Sequence, residues 1–291
     1  MSDTRRGRIW TRLGRQPTFY VAAVILSVLA LMALAPGLFT STDPMDCDLA
    51  FSRVGPGDGA YFGYNLQGCD LYSRTIHGAR ASLVVGVFAT TLVVLIGGGL
   101  GTVAGYFGSW VDAVVSRITD VFFGIPLLLG ALVVLVAFPS DVTTPAWQTT
   151  GKVVLAITVL GWTTVARIMR ADVIEAKEAD YVDAARSLGA GHWAILRRHV
   201  LPNAIAPVLA WATVAVGTFI AVEATLSFIG IGLQPPVVSW GVEIGEAQAY
   251  VRQSPHMIVF PSAFLSVTVL AFVLLGDAVR RALHPPRPKG R

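Results

Sequence analysis

The sequence predicts an all-α protein that crosses a membrane with six transmembrane helices. Composition, the length of the apolar stretches and the placement of charge support this prediction. Hydrophobic residues make up 54% of the 291 residues and charged residues 14%, whereas about 25% of an average soluble domain is charged. The charges are clustered, so that long neutral stretches separate them. One water-soluble core cannot hide this much apolar surface, which indicates a multi-span membrane protein.

Six apolar stretches are each long enough to cross a bilayer as a helix. They run over residues 19–39, 81–105, 118–138, 153–170, 204–229 and 257–276. The first stretch follows a charged start, as in a cleavable signal peptide. It is longer than a typical signal core, however, and no small-residue cleavage site follows it. We therefore interpret it as a retained helix.

These stretches also define the predicted organisation of the chain. It comprises an N-terminal segment at 1–18, a first span at 19–39, a polar loop at 40–80, a transmembrane core at 81–276 that contains a polar connection at 172–201, and a tail at 277–291. The loop at 40–80 is acidic and ends in a short stretch, 72–77, that we expect to form a separate helix at the membrane interface.

Basic residues accumulate in the N-terminal segment, in the 172–201 connection and in the tail. Because Lys and Arg concentrate on the cytoplasmic side of membrane proteins, we expect these segments and both termini to be cytoplasmic. The formal net charge is only +4, and no basic patch interleaved with aromatic residues occurs outside these segments. We therefore expect no binding of nucleic acid.

Motifs that carry chemistry are missing from the sequence. There is no G-x-x-x-x-G-K-[ST] phosphate loop, no H-E-x-x-H and no C-x-x-C, and the five His residues are scattered rather than clustered as metal ligands are. We therefore expect no metal site, no cofactor bound by this chain and no enzymatic activity.

The 172–201 connection carries the most informative pattern. Asp183-Ala184-Ala185 precedes Gly189, which suits a helix C-cap with positive φ, and Leu201-Pro202 suits the first turn of the fifth span. Small side chains at 184, 185 and 189 would let another surface approach closely. The residue types and their spacing are equally compatible with an ordinary solvent-exposed helix–turn–helix loop.

This pattern resembles the EAA loop of ABC-importer permeases, in which E-A-A, Gly and Leu-Pro recur at this spacing. Asp183 stands where that loop has Glu, and His199 stands where it has Ile. The resemblance implies that about 180–193 forms a coupling helix that docks on an ATPase. The implied coupling residues are Asp183, Ala184, Ala185, Gly189, Leu201 and Pro202.

Further segments resemble the C-type permease subunit of dipeptide, oligopeptide and nickel ABC importers. They are 63–74 with 78–83, 105–112, 226–236 and 275–277. The resemblance implies import of dipeptides or oligopeptides across a bacterial inner membrane, with nickel, glutathione or haem as alternative cargo. It also implies a homologous permease as heterodimer partner, two ATPase subunits or one fused ATPase that bind ATP and Mg, and an external substrate-binding protein. A stand-alone secondary transporter is the alternative from another class.

The chain has two cysteines, Cys47 and Cys69, and Cys69 replaces an Arg of the resembled pattern. Both lie in the loop that we expect to be external, where an oxidising compartment favours a disulfide over two free thiols. We predict the disulfide.

Three features within the spans remain open to interpretation. Glu223 is a carboxylate inside the fifth span, which could contact a gate or a cargo amine or could be a structural hydrogen-bond anchor to the partner subunit. The stripe of Gly97, Gly101 and Gly105 favours internal helix packing over a role in a pore. Asp120, near the start of the third span, is expected to pair with Arg117.

Overall fold

The computed structural model describes residues 11–57, 59–141 and 143–283, and within them the chain is helical with only isolated β-bridges. The predicted N-terminal segment and tail therefore lie partly outside the described residues. The helices are α1 (Pro17–Leu34), α2 (Leu71–Phe107), α3 (Ser109–Phe123), α4 (Leu127–Ala137), α5 (Ala146–Lys177), α6 (Asp180–Ser187), α7 (His192–Ile195), α8 (Leu201–Phe228), α9 (Trp240–Ala247) and α10 (His256–Leu283).

Five helical stretches in the described part of the chain are long and apolar enough to cross a membrane. They are α1, α2, α5, the continuous stretch His192–Phe228 that ends in α8, and α10. The predicted span at 118–138 is not one straight helix, because α3 and α4 meet at an angle of 84°. Pro126 lies at this break, where its missing N–H and its clash with the preceding residue interrupt a helix. Counted as one broken span, the pair completes the predicted six.

Two predicted boundaries at the N-terminal end were wrong. The helix that contains the second predicted span begins at Leu71 rather than 81, so the short helix expected at 72–77 is the first part of α2. The Asp70 carboxylate caps this helix by accepting a hydrogen bond from the Ser73 N–H at 3.0 Å, as N-cap residues do. The first helix ends at Leu34, before Pro36, rather than at residue 39 as predicted.

Glycine packing joins α2 to α5 along their length. An added Cβ at Gly97 or Gly101 would overlap the carbonyl oxygens of Trp162 and Ala166, and at Gly105 it would lie 2.8 Å from the Arg170 carbonyl oxygen. The two backbones therefore approach closely only because the stripe lacks side chains. The prediction of internal packing for this stripe is confirmed.

The buried core lies where α2, α5 and α8 meet, with fully buried side chains such as Val85, Val93 and Ile157. Helix α1 packs against α2 and α10 through Leu29 and Met32. The polar connections gather at the two ends of this bundle. We call the end formed by 178–200 the coupling end, and the end formed by 35–70 and 229–255 the cap end.

Candidate functional site at the coupling end and the cap end

The segment between α5 and α8 is a helix–turn–helix closed by Gly189. The Gly189 N–H donates to the Arg186 carbonyl oxygen at 2.9 Å, and the Ala190 N–H donates to the Ala185 carbonyl oxygen at 3.1 Å. Gly189 has φ +81. This pair of bonds with a left-handed residue is the Schellman arrangement that ends many helices. The expected glycine C-cap is therefore present.

One face of this segment is fixed to the bundle. Val182 and Ile195 are buried in the main core. At the end of α2, the Tyr106 hydroxyl donates to the His192 carbonyl oxygen at 2.9 Å, and Lys177 Nζ donates to the Gly105 carbonyl oxygen at 3.0 Å. A displacement of the segment would therefore be transmitted to α2 and α5.

The other face is exposed and unusually apolar. Leu188 is 88% exposed, Trp193 70% and Tyr181 43%, and Ala184 and Gly189 are exposed beside them. Large apolar side chains concentrated in one short turn are typical of a protein–protein contact surface. We call Tyr181, Ala184, Leu188, Gly189 and Trp193 the tip residues.

The predicted coupling residues divide between these two faces. Asp183 is exposed and forms an ion pair with Arg186 at 2.8 Å. Ala185 was expected to admit another surface, but it is only 9% exposed because it packs inside this chain. Leu201 and Pro202 are half-buried at the start of α8.

A π-helical turn, Leu196–Val200, connects the segment to α8. Pro202 has no N–H for the carbonyl four residues earlier, and such a missing bond accommodates a wider turn. Helix α8 therefore continues from α7 without a break, and Pro202 does not mark a free helix start. The His199 ring lies 6.4 Å from that of Tyr181, so the replacement of Ile by His is accommodated beside a tip residue.

Glu223 forms a buried hydrogen-bond cluster toward the cap end. Its carboxylate accepts from the hydroxyls of Ser82 at 3.0 Å, Ser227 at 2.8 Å and Ser239 at 3.1 Å. The side chain is 0% exposed. These bonds join α2, α8 and the residue that caps α9, so Glu223 acts as an anchor within this chain. A direct contact with cargo would require the cluster to open.

A buried ion pair holds the 35–70 loop to α9. Arg74 Nε lies 2.6 Å from Glu243 Oε1, Arg74 Nη1 donates to the Pro44 carbonyl oxygen at 3.0 Å, and Asn65 Nδ2 donates to Glu243 at 3.4 Å. Complete burial raises the pKa of Glu243, and the adjacent Arg74 charge opposes part of the rise. Losing either partner would leave the other charged and buried.

Cys47 and Cys69 are joined by a disulfide in this same loop. Cys69 is fully buried, and its Sγ lies 3.8 Å from Arg74 Nη1. The cysteine that departs from the resembled pattern therefore contacts the ion pair that holds the loop in place.

The ion pairs of α3 differ from the prediction for Asp120. Asp120 pairs with Arg167 at 2.7 Å rather than with Arg117, because the helix bend brings α3 against α5. Asp112 pairs with Arg170 in the same way. Both bridges connect α3 to α5.

Sequence reasoning missed Ser82, Ser239, Arg74 and Glu243 as members of the cap-end clusters. The signal for the ion pair was a cation, Arg74, at the start of one span and a carboxylate, Glu243, beyond another. Their pairing joins positions that are 169 residues apart, which the local sequence pattern does not specify.

The chain matches known transport proteins over most of its length. A family model described as "Binding-protein-dependent transport system inner membrane component" matches residues 97–287. The chain is 34% identical over 281 residues to the glutathione transport system permease protein of Pectobacterium atrosepticum, covering 95% of this chain and 89% of that protein. It is 32% identical over 265 residues to the dipeptide transport system permease protein of Alkalihalophilus pseudofirmus, covering 91% and 84%.

Solved structures share the fold. An amino acid ABC transporter has a TM-score of 0.55 at 24% identity, covering 72% of this chain and 93% of that chain. A methionine ABC transporter in inward-facing conformations has a TM-score of 0.57 at 20% identity, covering 72% and 96%. Together with the family match, these similarities show that the chain belongs to the binding-protein-dependent transport system inner membrane components, as a permease subunit of the peptide and nickel ABC importers.

Proposed function

We propose that this chain and a homologous second permease form the path for ATP-driven import of small peptides, either dipeptides and oligopeptides or glutathione. The names of the relatives, which are glutathione and dipeptide permeases, support this cargo class. Nickel and haem are alternative cargo for the same machinery.

The coupling-end geometry is the observation that carries the proposal. The tip residues form an exposed apolar surface on a segment that is hydrogen-bonded to α2. In the proposed complex this surface docks on an ATPase, either one of two subunits or one half of a fused protein. ATP and Mg bind to that ATPase, and this chain carries motion without catalysing a reaction.

Helix α2 is the proposed mechanical link between the two ends. Its 37 residues form a rod of about 55 Å. One end bears Arg74 and Ser82 of the cap-end clusters. The other end bears Tyr106, which bonds His192 of the coupling segment, and Gly105, which bonds Lys177 at the end of α5. Closure of the ATPases would displace the coupling segment and shift the population of the permease pair toward an outward-open state.

The proposed orientation follows from the distribution of Lys and Arg. It places both termini and the coupling end in the cytoplasm and the cap end outside. A cargo-loaded binding protein would then dock on the cap end, where α9 and the disulfide-closed loop form one clamped unit.

Affinity purification of the chain from its native membrane in mild detergent, followed by mass spectrometry, tests this assembly. The proposal predicts recovery of a homologous permease and of ATPases with phosphate loops. Recovery of the chain alone, under conditions that preserve other membrane complexes, would favour a stand-alone transporter. For such a transporter, uptake would be abolished by proton ionophores and would tolerate ATP depletion.

A further inference from the structure

A cleft of about 680 Å³ opens at the cap end between α2 and α5. Arg80, Val84 and Phe88 lie along one face of α2, Trp147 and Val154 lie on α5, and the loop at 237–238 closes the cleft on a third side. The volume is within the range of about 300–1,000 Å³ that holds small ligands in proteins. No residue of this cleft belongs to the clusters described above.

Arg80 gives the cleft a positive charge. The lining residues include no carboxylate, and their other ionisable side chain, His77, has its Nδ1 2.9 Å from the Ser73 carbonyl oxygen of its own helix. Arg80 is exposed, and within the described residues it has no hydrogen-bond or ion-pair partner. Its guanidinium is therefore available to an anionic ligand, and the aromatic side chains of Phe88 and Trp147 line the same cleft.

The position of the cleft along the membrane-spanning helices indicates that water, rather than lipid, fills it. Ser239 bonds Glu223, which lies five residues before the end of α8, or about 7.5 Å along the helix. The non-helical backbone at 237–238 directly precedes Ser239. Irregular backbone at this depth is stable only when it is buried in protein or lines an aqueous cavity. Arg80 is two residues from Ser82, which bonds the same carboxylate, and an unpaired cation at this depth is costly against lipid.

We propose that this cleft binds the carboxylate of a peptide cargo through Arg80, with Trp147 and Phe88 contacting an apolar part of the same molecule. This assignment rests on the proposed import of peptides and names a recognition site for it. A guanidinium matches a carboxylate with two parallel N–H···O bonds, which favours carboxylates over neutral groups. The proposal thus predicts that the free carboxylate, rather than peptide length, determines binding in the cleft.

In the test, Arg80 is replaced with cysteine, and the thiol is then labelled with a reagent of either positive or negative charge. Arg80→Cys is prepared in the complete complex in phosphatidylcholine proteoliposomes, with Arg117→Cys as the matched control, since Arg117 is an exposed cation on α3 that lies outside the cleft and outside both the cap end and the coupling end. The two natural cysteines of this chain are bonded to each other, so within this chain a methanethiosulfonate reagent labels only the introduced thiol. Complex assembly and basal ATPase activity confirm that each variant is folded.

We expect Arg80→Cys to lower ATP-driven uptake of alanyl-phenylalanine or glutathione by about tenfold, the scale of losing hydrogen bonds to a charged group. A trimethylammonium reagent should restore uptake and a sulfonate reagent should not, while Arg117→Cys stays near the wild-type rate. Millimolar alanyl-phenylalanine should slow labelling of the thiol at position 80, and its C-terminal amide should not.

The proposal would be overturned if Arg80→Cys took up peptide equally slowly after labelling with the trimethylammonium and with the sulfonate reagent. It would also be overturned by a loss that appears only with anionic lipid in the vesicles, which would assign the cleft to a lipid headgroup. If the wild-type complex takes up no peptide with ATP, the proposed function fails. The labelling experiment then still decides whether the cleft binds a carboxylate.

Discussion

At the residue scale, Gly189 permits a left-handed backbone conformation and leaves space for a docking partner. Its φ of +81 is unfavourable for any residue with a Cβ, and apart from its chain neighbours no atom of the described residues lies within 4 Å of the place where that Cβ would be. Gly189→Ala should therefore cost only about 1 kcal/mol in backbone strain. Gly189→Arg adds a long side chain directed at the docking partner.

We predict that Gly189→Arg abolishes transport and co-purification of the ATPase, whereas Gly189→Ala retains most of both. Membrane insertion should be normal in both variants, because the turn lies outside the packed bundle. Uptake assays and affinity purification measure the two effects. Normal uptake by Gly189→Arg would contradict the assignment of the coupling surface.

Ala184 offers the same test without backbone strain. It is exposed on α6, so Ala184→Arg should leave the chain stable and displace the ATPase. Ala50→Arg, an equivalent change at an exposed position of the cap end, should leave the ATPase bound in the same purification. Equal retention of the ATPase by both variants would show that the tip residues are not the docking surface.

Glu223 illustrates how an intramembrane carboxylate serves as an anchor. Glu223→Ala leaves three buried serine hydroxyls without their acceptor, and each unsatisfied group costs about 1–3 kcal/mol. Glu223→Gln keeps an acceptor oxygen and should be much less destabilising. Thermal unfolding of the purified complex in detergent measures the difference. Wild-type thermal stability of Glu223→Ala together with lost transport would instead assign Glu223 to the transport path.

At the element scale, the contact between α2 and α5 depends on the absence of side chains. Gly101→Leu should overpack this contact and destabilise the chain by about 1–3 kcal/mol. Gly99→Leu is the matched control, because its Cβ would meet nothing within 4 Å. Unfolding temperatures and yields in detergent compare the two variants. Similar values for both would mean that the helices do not pack through the stripe.

The disulfide stabilises the cap end by closing a loop with a sequence separation of 22. The chain-entropy relation gives about 3 kcal/mol for a loop of this length. Replacing both cysteines with serine should therefore loosen the loop and increase its cleavage by protease, while α5 and α8 remain protected. Alkylation of both thiols in the unreduced wild-type chain would contradict the bond.

Sequence patterns predicted the elements more reliably than the contacts between them. Apolar length located the spans, and the Gly189 signal located the C-cap. The proline at the break, Pro126, is visible in the sequence, but the length of the apolar stretch at 118–138 favoured one continuous helix. The partner of Asp120 could not be predicted, because the break rotates α3 against α5 and replaces a local pairing with one across helices.

At the scale of the whole molecule, the two clusters and the tip residues are connected by α2. The local sequence could not predict this connection, because Arg74 pairs with Glu243 and Ser82 with Glu223 over 169 and 141 residues. Such pairings depend on how complete helices pack. The sequence did contain the features at the two ends of the connection, since the EAA-like pattern and Glu223 were both evident in it.

ATP-driven uptake by the purified complex in proteoliposomes is the decisive measurement for import by this permease. We expect radiolabelled dipeptide or glutathione to accumulate only with ATP and the binding protein present, and Ala184→Arg in this chain to abolish the accumulation. Uptake that proceeds without ATP and follows an imposed proton or sodium gradient would contradict this expectation.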